Sequence, residues 1–184
     1  MPADTASPVP AFAGAQQSEN SMNRRVFLTT SLGASLALIV GQHAGAQEMD
    51  ATTQSSFDTV MAFMGAMGSG DSAAVASLMA EDMVWHNEGD PSLPWIGVWD
   101  GKARIFEFMG IFGGNFQTTA WTNTDAFAAG DTVAVFGTMN AITTQSGRDT
   151  GEFTFALRAK VRDGKVILWH WFEDSFAVSR AYHG

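Results

Sequence analysis

The sequence predicts an α+β domain, with its helices gathered on one face of a mainly antiparallel sheet. Two patterns carry this reading. Up to Gly114 the apolar residues recur at helical spacing, and beyond it they alternate with polar ones. Tight-turn pairs then punctuate the second half at Gly130-Asp131, Ser146-Gly147 and Asp163-Gly164. Helices first and an antiparallel meander afterwards is the order that segregates helices onto one sheet face.

Over residues 53–68, Phe57, Val60, Met61, Met64 and Met67 fall on one helical stripe, and Gly68-Ser69-Gly70 ends it. Asp71 then caps a second helix through Val75, Leu78 and Met79. Met83 to Asn87 reads as a short strand, and the segment 88–99, with Pro91, Pro94, Trp95 and Gly97, as a loop. After Asp100-Gly101 a third helix carries Ile105, Phe106, Phe108, Met109 and Phe112. Four strands follow over roughly 116–128, 132–145, 151–163 and 165–175. The third of them alternates cleanly, with Phe155, Leu157, Ala159 and Val161 on one side and Thr154, Arg158, Lys160 and Arg162 on the other. One face is therefore buried and the other meets water or a partner subunit.

Composition narrows the function classes. The 184 residues carry a net charge of −9, which argues against nucleic acid or an anionic membrane as partner. With no cysteine, disulfides, thiolate catalysis and cysteine-ligated metals are excluded, and the core of Trp and Phe must hold the fold. Near the N-terminus, Arg24-Arg25 with Phe27-Leu28, an apolar stretch from Leu32 to Val40 and Ala44-Gly45-Ala46 have the layout of a twin-arginine signal peptide. The stretch is too short and too glycine-broken to span a bilayer, which needs about 20 apolar residues. Residues 1–46 thus read as an extension and leader, with Met22 as an alternative start, and 47–184 as one domain. The expected location is periplasmic or secreted, by the export machinery that carries folded chains, with no stable membrane anchor.

The order of elements resembles the nuclear transport factor 2-like fold over residues 53–180. The carriers are Gly70-Asp71, the run Glu81 to Asn87, Leu93-Pro94-Trp95-Ile96-Gly97 before Asp100-Gly101, Arg162-Asp163-Gly164-Lys165-Val166, and Phe172-Glu173-Asp174-Ser175. Together they look most like the SnoaL-like, ketosteroid-isomerase-related branch. The resemblance implies a cone in which a curved sheet and its helices enclose an apolar pocket. Ketosteroid isomerases place a tyrosine, a carboxylate base and a protonated aspartic acid in that pocket. Here the matching positions fall on Phe63, Asn87 and the vicinity of Leu157, none of which moves a proton. Limonene epoxide hydrolases resemble the chain at Trp85-His86-Asn87, but their Asp-Arg-Asp positions fall near Thr138, Asn140 and Trp171. Neither chemistry is expected.

What remains is an aromatic, amide-lined pocket. Phe63, Trp85, Phe155 and Trp171 are the expected walls, Asn87, Thr138, Asn140 and Glu173 the polar handles. Strand alternation sends Trp85 and Asn87 inward with Trp171 and Glu173, and His86 and His170 outward. Trp95 and Trp99, in the proline-containing segment, either close over the mouth or stiffen the connection. Glu173 is the first candidate acid or base, with His86 and His170 as alternates. Those histidines, with Glu88, Asp90 or Asp174, also permit a metal reading, but their spacing is not diagnostic, and no metal or cofactor is expected. The function read from these residues is binding, with acid/base isomerase, cyclase or hydrolase conversion, of a small hydrophobic polyketide-like, terpenoid or aromatic molecule. The alternative is a binding or assembly module without chemistry. A homodimer is expected through the outer sheet face, its basic stripe of Arg158, Lys160 and Arg162 meeting acidic residues of the second subunit.

Overall fold

The structure is a computed structural model and describes residues 49–184. The expected twin-arginine leader and its expected cleavage site lie outside them. Four helices and six strands follow in the order α1 (Ala51–Ser69), α2 (Ser72–Leu78), β1 (Met79–Asn87), β2 (Gly97–Asp100), α3 (Lys102–Asn115), β3 (Phe116–Ala129), β4 (Thr132–Thr143), β5 (Phe153–Arg162), β6 (Lys165–Glu173) and α4 (Ser175–His183). The strands form one sheet in the order β2-β1-β6-β5-β4-β3. Only β1 and β6 pair in parallel; the rest is antiparallel. The α+β class and the helical and meander elements are as the sequence predicts. Among the described residues no helix is long and apolar enough to cross a membrane.

Local chemistry sets the boundaries. Asp50 caps α1 through the Thr53 amide at 2.9 Å, and Gly70 closes it in the left-handed conformation at φ 71°. Asp71 then accepts from the Ala74 amide to start α2. Asp163 and Gly164 both take positive φ, 53° and 70°, which the two-residue β5–β6 hairpin requires. Two elements differ from the sequence reading. Residues 97–100 form β2 rather than loop, pairing Trp99 with Trp85 and Val98 with His86. Residues after Glu173 form α4 rather than the end of a strand, with Asp174 as its N-cap, accepting from the Phe176 and Ala177 amides.

Strand β5 shows the buried–exposed alternation expected of it. Its inner residues pack with those of β4 and β6 beneath α1, where Phe63 meets Trp169 with ring centroids 5.0 Å apart. α4 lies over the end of β4, burying Val178 and Ala181. Strand β3 is irregular. Register shifts at 118/120 and 123/125 turn Thr118, then Trp121 and Asn123, then Ala126 and Ala128 toward the same side. Between those shifts Gly137 of β4 lies so close to its neighbours that a Cβ would stand 2.1 Å from the Thr122 carbonyl oxygen.

Candidate functional site

The inner sheet face is built from three copies of one local device. In each, an indole N–H donates to a side-chain oxygen two residues further along the same strand. Trp85 donates to Asn87 Oδ1 at 2.8 Å, Trp121 to Asn123 Oδ1 at 2.7 Å, and Trp171 to Glu173 Oε2 at 2.9 Å. Strand alternation makes this possible, since residues i and i+2 share a face. Asn87 is in parallel register with Trp171, which sets the first and third pairs side by side. Phe155 stacks on Trp171 at 4.6 Å and meets Trp121 at 4.6 Å with its ring tilted, completing an aromatic wall beside Glu173, its cross-strand partner.

Glu173 is the distinctive group of this wall. Its Oε1 is buried with no hydrogen-bond partner. Burial pushes the carboxyl up to about 7, the neighbouring Asp174 charge adds to the rise, and the Trp171 hydrogen bond opposes it. A carboxyl poised near neutrality can take or give a proton without large driving force. Two indole N–H groups, Trp95 Nε1 and Trp169 Nε1, are also buried without an acceptor. Each orphaned donor of this kind costs about 1–3 kcal/mol.

The expected site residues separate into three groups. Phe63, Trp85, Asn87, Phe155, Trp171 and Glu173 share the inner face. Asn87 is less free than a ligand handle needs: its Oδ1 holds Trp85 and its Nδ2 donates to the Trp95 carbonyl at 3.0 Å. Trp95 itself is not a flap. It is 1% exposed and meets Phe112, Phe116 and Tyr182 in the core. Trp99, half-buried on β2, donates to the same Trp95 carbonyl at 3.2 Å and carries Arg104 over its ring.

Thr138 and Asn140 point to the opposite face and correct the expected list. Thr138 pairs with Thr154, an outward residue of β5, while the inward Phe155 pairs with Gly137. Asn140 lies two residues further along the same outward row of β4 and meets Thr150 Oγ1 at 3.4 Å. His86 and His170 also face outward, stacked at 4.5 Å, so the sheet separates them from the Glu173 carboxyl. On this outer side a groove of 630 Å³ is lined by Phe136, Thr138, Thr154, Ala156 and Phe172, with Glu173 and Asp174 at its β6 end.

The sequence reading places Trp169 on the same face of the last strand as Trp171 and Glu173, but it does not reach Trp121, Asn123 or Gly137. The Trp-x-Asn spelling of 121–123 repeats that of 85–87, and was a usable signal. Nothing in the sequence marks Gly137, whose role rests on the close approach of the Thr122 carbonyl and the Phe155 ring.

The geometry agrees with known proteins. No curated protein matches the sequence. Among solved structures, an NTF2-like protein from Burkholderia xenovorans LB400 is 25% identical, with a TM-score of 0.63 over 71% of this chain and 97% of that one. An LEH-like epoxide hydrolase of M. tuberculosis is 20% identical (TM-score 0.57; 71% of this chain, 91% of that one). TerC, co-crystallized with polyporic acid, is 22% identical (TM-score 0.62; 71% and 99%). The latter two likenesses show the fold. The model of the SnoaL-like domain family matches residues 60–169, from the middle of α1 to Trp169 on β6. With its sheet order, its helices and its match over most of the described residues, the chain belongs to the SnoaL-like domain family of the NTF2-like fold.

Proposed function

We propose that this SnoaL-like domain is exported and binds a small, largely apolar molecule bearing one or two oxygens against the inner aromatic wall, with Glu173 as the acid or base that converts it. The observation that carries this reading is the buried, unpartnered Glu173 Oε1, together with a carboxyl pushed up to about 7. Trp171 fixes the other oxygen, so the free one is held at a defined place. Isomerase, cyclase and hydrolase steps on polyketide-like, terpenoid or aromatic compounds can each be started by proton transfer to or from such a carboxyl.

A compound extracted from the purified protein and identified by mass spectrometry tests the proposal. Wild-type protein is expected to convert it, and Glu173→Gln to bind it without conversion. Conversion by both would remove Glu173 from the chemistry. A compound bound unchanged by both would assign a binding module, a second reading that the closed Trp85–Asn87–Trp95 hydrogen bonds favour.

The outer face supports a homodimer, on grounds that differ from those in the sequence. Two of the three basic residues are spent inside the chain: Arg162 pairs with Asp82 at 2.6 Å and Lys160 with Asp131 at 3.2 Å. The face instead exposes Phe127, Phe136 and Phe172 at 62%, 41% and 39%. An apolar cluster of this kind is the usual centre of an interface. Sedimentation is expected to give a dimer at micromolar concentration and a monomer for Phe136→Glu combined with Phe172→Glu. A monomeric wild type would refute the interface.

A further inference from the structure

We infer that His86, Glu88 and His170 form a binding site for one divalent transition-metal ion of the zinc type, on the sheet face opposite Glu173. The two histidines lie 84 positions apart in sequence and meet only because β1 and β6 pair in parallel and in register, His86 against His170. Glu88 follows His86 by two residues, and its amide donates to the Trp171 carbonyl at 3.0 Å, extending the ladder by one step. The three side chains therefore stand in a triangle on one face.

Their atoms suit an ion. Glu88 Oε1 is 3.0 Å from His170 Nε2 and 3.4 Å from His86 Nε2, and all three donor atoms lie within 4.8 Å of one another. Bonds of about 2.0–2.1 Å to nitrogen and oxygen in a tetrahedron put ligand atoms about 3.3 Å apart. The carboxylate-to-imidazole edges are thus already at that spacing. The rings are stacked at an interplanar angle of 8°, so each must tilt about its χ2 bond to aim its nitrogen at a shared ion. Phe172 packs on His170 at 4.2 Å and backs that ring.

Two imidazoles and one carboxylate, with solvent to complete the shell, favour zinc and its later first-row neighbours over magnesium or calcium, which prefer oxygen. Arg158, cross-strand from His170, places a positive charge on the same face. With it nearby and only three protein ligands, affinity in the micromolar range is expected. Since its ligands come from both strands, the ion would clamp the end of β1 to β6.

Titration of the tag-free full-length protein with Zn²⁺, followed by calorimetry, tests the site. One ion per chain is expected to bind and to raise the melting temperature. His86→Ala and His170→Ala should each weaken binding by at least about tenfold, the scale set by lesser, outer-shell changes at metal sites. Co²⁺ in place of Zn²⁺ should give visible bands that the same variants abolish, a readout independent of stability. The side chains are 30% and 18% exposed and lie outside the core, so circular dichroism of the variants should match the wild type. Absence of saturable binding would overturn the site. So would binding that both variants leave unchanged, which would place the ion on other donors such as Asp90 and His183.

Discussion

Glu173→Gln is expected to stabilise the domain by about 3 kcal/mol above pH 7, and to leave it unchanged below the ordinary carboxylate range. The group is held up to about 7 in the folded chain, against 4.5 when solvated. Below 4.5 folded and unfolded chains both carry the proton, and the residue costs nothing. Between 4.5 and 7 the unfolded chain has lost the proton that the folded one keeps, so stability falls as pH rises. Above 7 both are ionised and the full cost of a desolvated carboxylate remains. Glutamine preserves the shape and can still accept from the Trp171 indole, so it removes the charge and little else. Thermal melts of both proteins across this range check the result. Parallel curves at every pH would mean that Glu173 titrates like an exposed glutamate, and the functional proposal would lose its support.

Gly137→Ala is expected to cost 3 kcal/mol or more, the upper end of what overpacking does. The added Cβ would stand 2.1 Å from the Thr122 carbonyl oxygen, and 2.6 and 2.7 Å from Phe155 Cζ and Cε1. The ring contacts are with the far end of a side chain, which can shift at the expense of its own packing; the carbonyl belongs to the paired strand β3 and cannot. Phe155→Leu added to Gly137→Ala should therefore recover only part of the loss in denaturant midpoint. Full recovery would place the constraint in the ring alone. Displacing Phe155 would also free Trp171 and loosen its hold on Glu173, so ligand binding should weaken alongside stability.

Most of this architecture was legible in the chain, for physical reasons that differ by element. Strand β5 keeps strict alternation, and its turns use residues that tolerate positive φ, so both its face and its limits could be read. The inward phase of Trp85, Asn87, Trp171 and Glu173 followed from the same rule. Strand β3 hid its pattern: two register shifts space its inward residues as 116, 118, 121, 123, 126 and 128, which matches neither period. The misplacement of Thr138 and Asn140 had a related source. Their facing direction depends on pairing with β5, where Thr138 opposes Thr154 rather than Phe155. Strand β2 is four residues long and carries no alternation long enough to detect. The histidine pair depends on the parallel register of two strands far apart in sequence, which no local pattern encodes.

That parallel pair also fixes the order in which the molecule can be finished. The ladder from β3 to β6 joins strands that follow one another in the chain, and each can form as soon as its neighbour has been made. Strand β1 is synthesised before all of them, yet its only partners are β2 and the last strand, β6. Until the ribosome has released residue 173, the N-terminal helices have no completed sheet to close upon. Truncation within β6 should accordingly leave the whole N-terminal half unsealed, rather than merely shorten the sheet by one strand.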